Sequence, residues 1–534
     1  MPYHGTICRL QGGRCATPVF VLYGPAAPEQ VEDVQARSTT TLAHRTAIAA
    51  AQEARVVEDR SVMAGAQVLE GFDPPPAQAE ALLAAAWELV ASLAAGGAQR
   101  DVLGHPRGED LAQQLVASRP PASPTTVDGA LGTIAEILAT GVDNAAPGEL
   151  AYIPGSGLLA SAVADLIAGV ANRYTGLAGF TPAAVALEQG VLRWLTELFG
   201  LPDTAQGLLL SGGSAANLTA LVAARDVHAP GRADAACVYV GQHAHASVRK
   251  AARIAGLRPE HVRVCTSTDG LRLDPEAVRI AIKQDLADGL VPVAVVGAAG
   301  TTNAGVVDPL PELAAVAGEH GVWFHVDAAY GGFFQLTTRG RERLTGIEQA
   351  DSITLDPHKS LFLPFGTGAL LVRERDHLAA TFAEDADYLR DHDQDPEALP
   401  DFSAISPELT RQWRGLRLWL PLTLHGTDAF AAALDSTLDL ATWAAAELAE
   451  EPGVEVVSPP ELSILTFRLR GDDGLQDAAL ARIHADGHVR LSSTVIDGRV
   501  VLRLAVLSHR TTADTVARAV TLIRRAAREL AQGS

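Results

Sequence analysis

The sequence predicts an α/β protein built on a largely parallel sheet covered on both faces, with a smaller α/β region at its C-terminal end. Three observations carry this expectation. From about Ala151 to Gly426, short apolar runs alternate with amphipathic helical segments, the pattern of strands buried on both faces and joined by helical crossovers. After Val454 a second, shorter set of strand-like runs ends in one long helical segment. The chain has 534 residues, 48% hydrophobic and 20% charged, enough for a large core and roughly two to four structural units.

Taken in order, residues 1–70 read as an N-terminal extension, with a helical-looking stretch near Thr41–Val68. Phe72-Asp73-Pro74-Pro75-Pro76 marks a boundary. Residues 71–150 form a helical segment, with an apolar helical period over Ala77–Ala95 and a Pro-rich break at Arg119–Pro124. Residues 151–426 form the large domain. Its seven expected strands are Gly207–Ser211, Ala236–Gly241, Val262–Cys265, Val291–Ala298, Val322–Asp327, Ser352–Asp356 and Gly368–Val372. Helices are expected at Ala215–Arg225, Ser247–Ala255, Pro275–Asp288 and Leu310–Glu319. Residues 427–534 form the small domain, with strands at Ser463–Leu469, Val489–Ser492 and Val500–Ala505 before the helix Ala513–Gln532.

Composition excludes several function classes. Asp and Glu number 63 against 42 Lys and Arg, a formal charge of −21, which disfavours a phosphate backbone as partner. Two long uncharged stretches, Thr204–Ala224 and Gly289–Val307, are interrupted by glycines and polar residues and read as strand plus loop, so no membrane span is expected. The first twenty residues lack a sustained apolar core, so no signal peptide is expected. Cys8, Cys15, Cys237 and Cys265 show no C-x-x-C spacing and fit a reduced cytoplasm.

One count is more pointed. Only Lys250, Lys283 and Lys359 are lysines; the other 39 basic residues are arginine. A lysine amine can lose its proton and attack a carbonyl, whereas guanidinium stays protonated. Lys250 and Lys283 fall on helix surfaces. Lys359 does not.

In an open parallel sheet, ligands sit beyond the carboxyl ends of the strands. Four exits there could carry chemistry. Ser211-Gly212-Gly213-Ser214 opens a helix whose N-terminus suits a phosphate; it is neither a Walker loop nor a G-x-G-x-x-G fingerprint, and a plain helix cap is the alternative. Gln242-His243-Ala244-His245 offers an imidazole to stack on a flat ring; no metal-ligand cluster accompanies it, and His245 could equally cap the next helix. Asp327 ends an apolar strand and there needs a cation, a metal, a protonated ring nitrogen or a helix N-terminus. Lys359, in Asp356-Pro357-His358-Lys359-Ser360, follows Asp327 by 32 residues, the length of one strand-to-strand crossover; a Schiff-base lysine and a solvated loop lysine are its two readings. Taken together, the four describe one ligand, pyridoxal 5′-phosphate, which has a phosphate, a flat ring, a protonatable nitrogen and an aldehyde.

These residues also carry a resemblance. His325-Val326-Asp327-Ala328-Ala329-Tyr330, Ala350-Asp351-Ser352, Pro357-His358-Lys359, Thr301-Thr302 within Gly300–Gly305, and Arg411-Gln412-Trp413-Arg414-Gly415-Leu416 resemble motifs of the group II pyridoxal-phosphate-dependent amino-acid decarboxylases. The resemblance runs from about Phe72 to the C-terminus. It implies the type I aminotransferase fold and a homodimer with active sites at the subunit interface, the N-terminal helices packing across it. Lys359 would form the internal aldimine, Asp327 would pair with the pyridine nitrogen and His245 would stack on the ring. Gly213, Ser214 and His358 would surround the phosphate, Thr302 the ring substituents, and Ala329 and Asp356 would complete the cofactor site. The implied reaction is decarboxylation of an L-amino acid to the amine through an external aldimine and a quinonoid. Tyr152 and Phe180 are expected to wall an apolar pocket, favouring an aromatic or bulky side chain.

Three departures stand out. Glu384–Glu408 has the composition of a mobile lid. Counting back from Arg411 places Phe402 where the family carries a proton-donating tyrosine, which would divert the reaction to oxidative deamination and an aldehyde; Tyr388 is the alternative donor. Asp356 stands where aromatic decarboxylases usually have Asn. Ala145–Leu150 lacks the His-Pro often found before the cofactor domain. The remaining alternatives are a lyase or transaminase using the same cofactor and a non-catalytic cofactor-binding dimer.

Overall fold

The computed structural model describes residues 72–95, 100–104, 108–384 and 399–532. The extension 1–70, including Thr41–Val68, and Tyr388 lie outside the described residues. Contacts divide the chain into two units, Met1–Ala84 and Ala85–Ser534. Of the first, only 72–84 is described, a turn and the start of a helix.

The second unit holds the expected sheet. Its strands are β1 (Gln206–Leu210), β2 (Ala236–Gly241), β3 (Val262–Cys265), β4 (Val291–Ala298), β5 (Trp323–Asp327), β6 (Ser352–Leu355) and β7 (Gly368–Val372), in the order β1-β7-β6-β5-β4-β2-β3. β2, β3, β4, β5 and β6 run parallel. β7 is antiparallel to both its neighbours, β6 and β1, so β1 points the same way as the parallel set. β4, Val-Pro-Val-Ala-Val-Val-Gly-Ala, is buried from its second residue on, as a strand covered on both faces must be.

Register fixes what lies at the edge. Ala298 pairs with Asp327, and Asp327 with Thr354, so β4, β5 and β6 finish level. Leu210 pairs with Gly368, bringing the exit of β1 to the same edge. The backbones are close there: a Cβ on Gly368 would come within 2.4 Å of Gly212 Cα. All four exits marked in the sequence therefore open on one side of the sheet.

A four-stranded antiparallel sheet follows, built from β8 (Val454–Ser458), β9 (Ile464–Leu469), β10 (Ser492–Ile496) and β11 (Arg499–Ala505) in the order β10-β11-β9-β8. The sequence reading missed β8 and placed β10 at Val489–Ser492. β8 is only half buried along its middle, so its Val-Glu-Val-Val run carried a weak signal. Val489 and Leu491 are core residues of the connection before β10, which gave that connection a strand's apolarity. Helix Thr427–Ala449 serves both cores: Phe430, Leu434 and Leu438 join the large one, and Ala441, Ala444 and Leu448 the small one.

Before the sheet, helices Pro76–Ala95, Gly108–Ala117 and Val127–Leu138 bury no residue in this chain. Pro76–Ala95 is, by length and composition, the one described helix long and apolar enough to cross a membrane.

The structure corrects the reading of Phe402. It is fully buried, in a short 3-10 turn, Phe402–Ala404, and belongs to the main core. The Arg411 guanidinium lies 4.4 Å from its ring centroid. Counting back from Arg411 misplaced it because the segment from Leu399 onward packs as core instead of belonging to a lid. Arg411 also pairs with Glu188 at 2.5 Å, both side chains wholly inaccessible, and the other Glu188 oxygen accepts from the Gly415 N–H at 3.0 Å. Breaking a buried pair from one side leaves an uncompensated charge. Arg411→Met is expected to lower stability by about 3–5 kcal/mol, and the Glu188→Gln/Arg411→Met double variant by less than the two single losses combined, as measured by urea denaturation.

Candidate active site

Two adjoining cavities of ≈ 290 and ≈ 320 Å3 lie beyond the strand exits and share His245, Asp327, Ala329 and Lys359. The first is also lined by Tyr152, Ile153, Thr301, Thr302, Tyr330 and Arg503. The second is lined by Gly213, Ser214, Asn217, Asp356 and His358 among others.

Helix Gly213–His228 opens directly from β1 and has no side-chain cap. A first helical turn leaves backbone N–H groups without intrahelical partners, and here they border the second cavity. A Cβ on Gly213 would lie 3.0 Å from Asp356 Oδ2 and 3.2 Å from Ala329 Cβ, so the glycine keeps the cradle open. His358 donates from Nδ1 to the Thr367 carbonyl at 2.6 Å, and burial holds its pKa below the usual histidine value.

Lys359 follows β6 in a single helical turn, Pro357–Ser360. Its Nζ stands 2.9 Å from Asp356 Oδ2. The aspartate that departs from the family pattern is thus the lysine's counter-ion, and its other oxygen is buried without a hydrogen-bond partner. Asp327 is 9% exposed. Its Oδ2 accepts from Asn217 Nδ2 at 3.0 Å and its Oδ1 from the Ala329 N–H at 3.2 Å. His245 takes the capping role and also borders both cavities. It caps helix Ala246–Ile254, Nδ1 accepting from the Ser247 N–H at 3.3 Å. Burial lowers its pKa, partly offset by Asp327.

The sequence reading missed Arg503, which sits in the ordinary strand pattern of β11. It is buried, and burial holds its pKa down to about 10. It donates to the carbonyls of Thr302 at 2.7 Å, Asn303 at 2.9 Å and Tyr152 at 3.4 Å, and to Ser492 Oγ at 3.1 Å. A cation held by neutral groups brings a positive charge to the cavity wall. Phe180 is not brought there: it is 56% exposed, edge-on to Tyr174, and outside both linings. Among the described residues, no group of three or more His, Cys, Asp or Glu side chains could hold a metal ion.

A helix N-terminus kept open by Gly213, a lysine amine, a buried carboxylate and an imidazole around one pair of cavities fit pyridoxal 5′-phosphate, and together with the sheet they point to a pyridoxal-phosphate-dependent enzyme of the type I aminotransferase fold. A family model described as the pyridoxal-dependent decarboxylase conserved domain matches residues 110–470. The chain is 35% identical over 392 residues to an aromatic-L-amino-acid decarboxylase of Bacillus atrophaeus, covering 72% of this chain and 82% of that one. It is 36% identical over 391 residues to an L-2,4-diaminobutyrate decarboxylase of Rhizobium meliloti (strain 1021), covering 72% and 78%. The crystal structure of Oryza sativa TDC with PLP and tryptamine superposes with a TM-score of 0.81 at 27% identity, covering 86% of this chain and 99% of that one. The chain belongs to the pyridoxal-dependent decarboxylase family and is a pyridoxal-phosphate-dependent amino-acid decarboxylase.

Gly213→Val is expected to weaken pyridoxal 5′-phosphate binding by at least about tenfold, read by absorbance titration, with an unchanged far-ultraviolet circular dichroism spectrum.

Proposed function

We propose that this enzyme decarboxylates an aromatic or bulky apolar L-amino acid to its amine, with Lys359 and Asp327 as its central groups and a homodimer as its working form. The observation that carries the reading is the convergence of Lys359, Asp327 and His245, from three strand exits, on one pair of cavities. Pyridoxal 5′-phosphate, when bound, supplies a carbonyl for an amine to attack and a ring that accepts the electron pair released with CO2. Residues 213 and 214 and His358 would hold its phosphate, and Lys359 its carbonyl carbon. Asp327, kept as an acceptor by two N–H donors, would hold a proton on the ring nitrogen. His245 would cover one ring face and exclude water from it.

Tyr152, Ile153 and Tyr330 give the first cavity an apolar wall, suited to an aromatic side chain. The nearby Arg503 charge disfavours a cationic side chain such as that of 2,4-diaminobutyrate. With Phe402 in the core, that residue gives no support to an aldehyde product, and Tyr388 is the sequence's candidate for returning a proton to Cα. Two buried free thiols, Cys237 and Cys265, suit a cytoplasmic setting.

A second copy is the natural cover for exposed apolar helices. Leu166, Ile167 and Val170 of helix Leu159–Ala171 are 56%, 49% and 79% exposed, and Trp87 is 58% exposed. Such a surface is unusual on a monomer.

Borohydride reduction of the cofactor-loaded protein should label the peptide containing Lys359. A label on Lys250 or Lys283, or none, sinks the assignment. A screen of the twenty amino acids and 2,4-diaminobutyrate should release CO2 and amine from an aromatic substrate without H2O2. Tyr388→Phe should lower amine formation by at least about tenfold, while Phe402→Leu should lower the melting temperature and leave the product unchanged. In sedimentation, Val170→Glu should shift a wild-type dimer towards monomer.

A further inference from the structure

At and behind the cavities, seven polar side chains form one hydrogen-bonded network that contains two groups with no choice of role. The Trp323 indole N–H can only donate, and it donates to Ser352 Oγ at 2.8 Å. The Asp327 carboxylate can only accept when ionised, and it faces Asn217 Nδ2 at 3.0 Å. Every bond between them follows.

Ser352 also bonds His325 Nδ1 at 2.7 Å, and because Asn217, turned to donate to Asp327, presents Oδ1 to His325 Nε2, a neutral His325 accepts the Ser352 O–H at Nδ1. His325 is completely buried, and desolvation holds its pKa down to about 4, so near neutral pH it is uncharged. With Nδ1 accepting, its proton is on Nε2. Nε2–H donates to Asn217 Oδ1 at 3.0 Å, with Thr354 Oγ1 3.5 Å from the same nitrogen. That is the amide orientation Asp327 requires. The second Asn217 N–H donates to Ser247 Oγ at 2.9 Å. Ser247 then points its O–H at His245 Nδ1, 2.7 Å away, where its backbone N–H already points. Two donors on Nδ1 leave the His245 proton on Nε2.

We infer that Trp323, Ser352, His325 and Asn217 are positioning residues of this active site, their one-way chain fixing His245 as the Nε2–H tautomer while clamping the carboxylate of Asp327. The inference rests on the proposed cofactor chemistry. It adds that the ring nitrogen left to the cavity is a proton donor, and that its state is set from the far side of the sheet edge. The chain has no slack. The single Asn217 amide serves Asp327, Ser247 and His325 at once, so changing any of these partners is felt by the others.

Long-range 1H–15N spectra of holoenzyme labelled with 15N-histidine, with His245 and His325 assigned by substitution, read the tautomers directly. Both should carry the proton on Nε2; a proton on His245 Nδ1 overturns the inference. Asn217→Asp, nearly isosteric, places an acceptor against Asp327. It should move the pH midpoint of the bound cofactor's visible band upward by about one unit. Ser352→Ala, outside both cavity linings, should shift the His325 nitrogen signals and weaken pyridoxal 5′-phosphate binding about fivefold; Ser352→Thr should restore both. Variants that lose melting temperature alone, leaving tautomers, pH midpoint and affinity unmoved, also overturn it. Borohydride labelling of the wild-type protein separates the two failures. An unlabelled Lys359 sinks the functional reading, whereas a labelled Lys359 with unmoved spectra sinks only the relay.

Discussion

A carboxylate at the end of a buried strand is the constraint on which this structure depends. Asp327 ends β5 with 9% of its surface exposed. An ion that deep is tolerated only when donors surround it. One donor is the backbone of its own turn, the Ala329 N–H; the other is Asn217, on the helix that leaves β1. Satisfying Asp327 therefore fixes where helix Gly213–His228 sits against the sheet, and with it the cradle at that helix's first turn. The same register that levels β4, β5 and β6 sets Lys359 one strand away. The cofactor site is in this sense a consequence of partnering one buried acid.

Much of this was legible because the relevant signals are local. Strands β2, β3, β4 and β7 were read to the residue, since runs such as Val-Pro-Val-Ala-Val-Val-Gly-Ala leave a two-faced buried strand as the simplest fit. Lys359 stood out because arginine occupies nearly every other basic position. That the exits share an edge followed from the strand pattern, and the structure brings their residues to one pair of cavities.

What the sequence hid is what tertiary packing decides. Phe402 was placed in the lid by counting back from Arg411 within an acidic, Pro-punctuated stretch, yet the large core buries its ring, and the buried Arg411–Glu188 pair anchors that part of the chain. Arg503 was invisible because its neighbours make an unremarkable strand, and only the fold brings β11 against the loop holding Thr302. The roles of Asn217 and Ser247 depend on contacts spanning 110 and 30 residues, beyond any motif.

Arg503 also explains why the small sheet belongs to the site. Its guanidinium binds three carbonyls, those of Tyr152, Thr302 and Asn303, which come from two separate stretches of the large sheet's surroundings. Few neutral groups other than main-chain carbonyls could hold a buried cation with such economy. Arg503 therefore borders the first cavity only while β11 is docked. A ligand filling that cavity must stabilise the docking by the same free energy with which the docking improves its binding. Ligand binding in the first cavity and docking of the small sheet against the large one are on this argument coupled equilibria, with Arg503 as a residue through which they are joined.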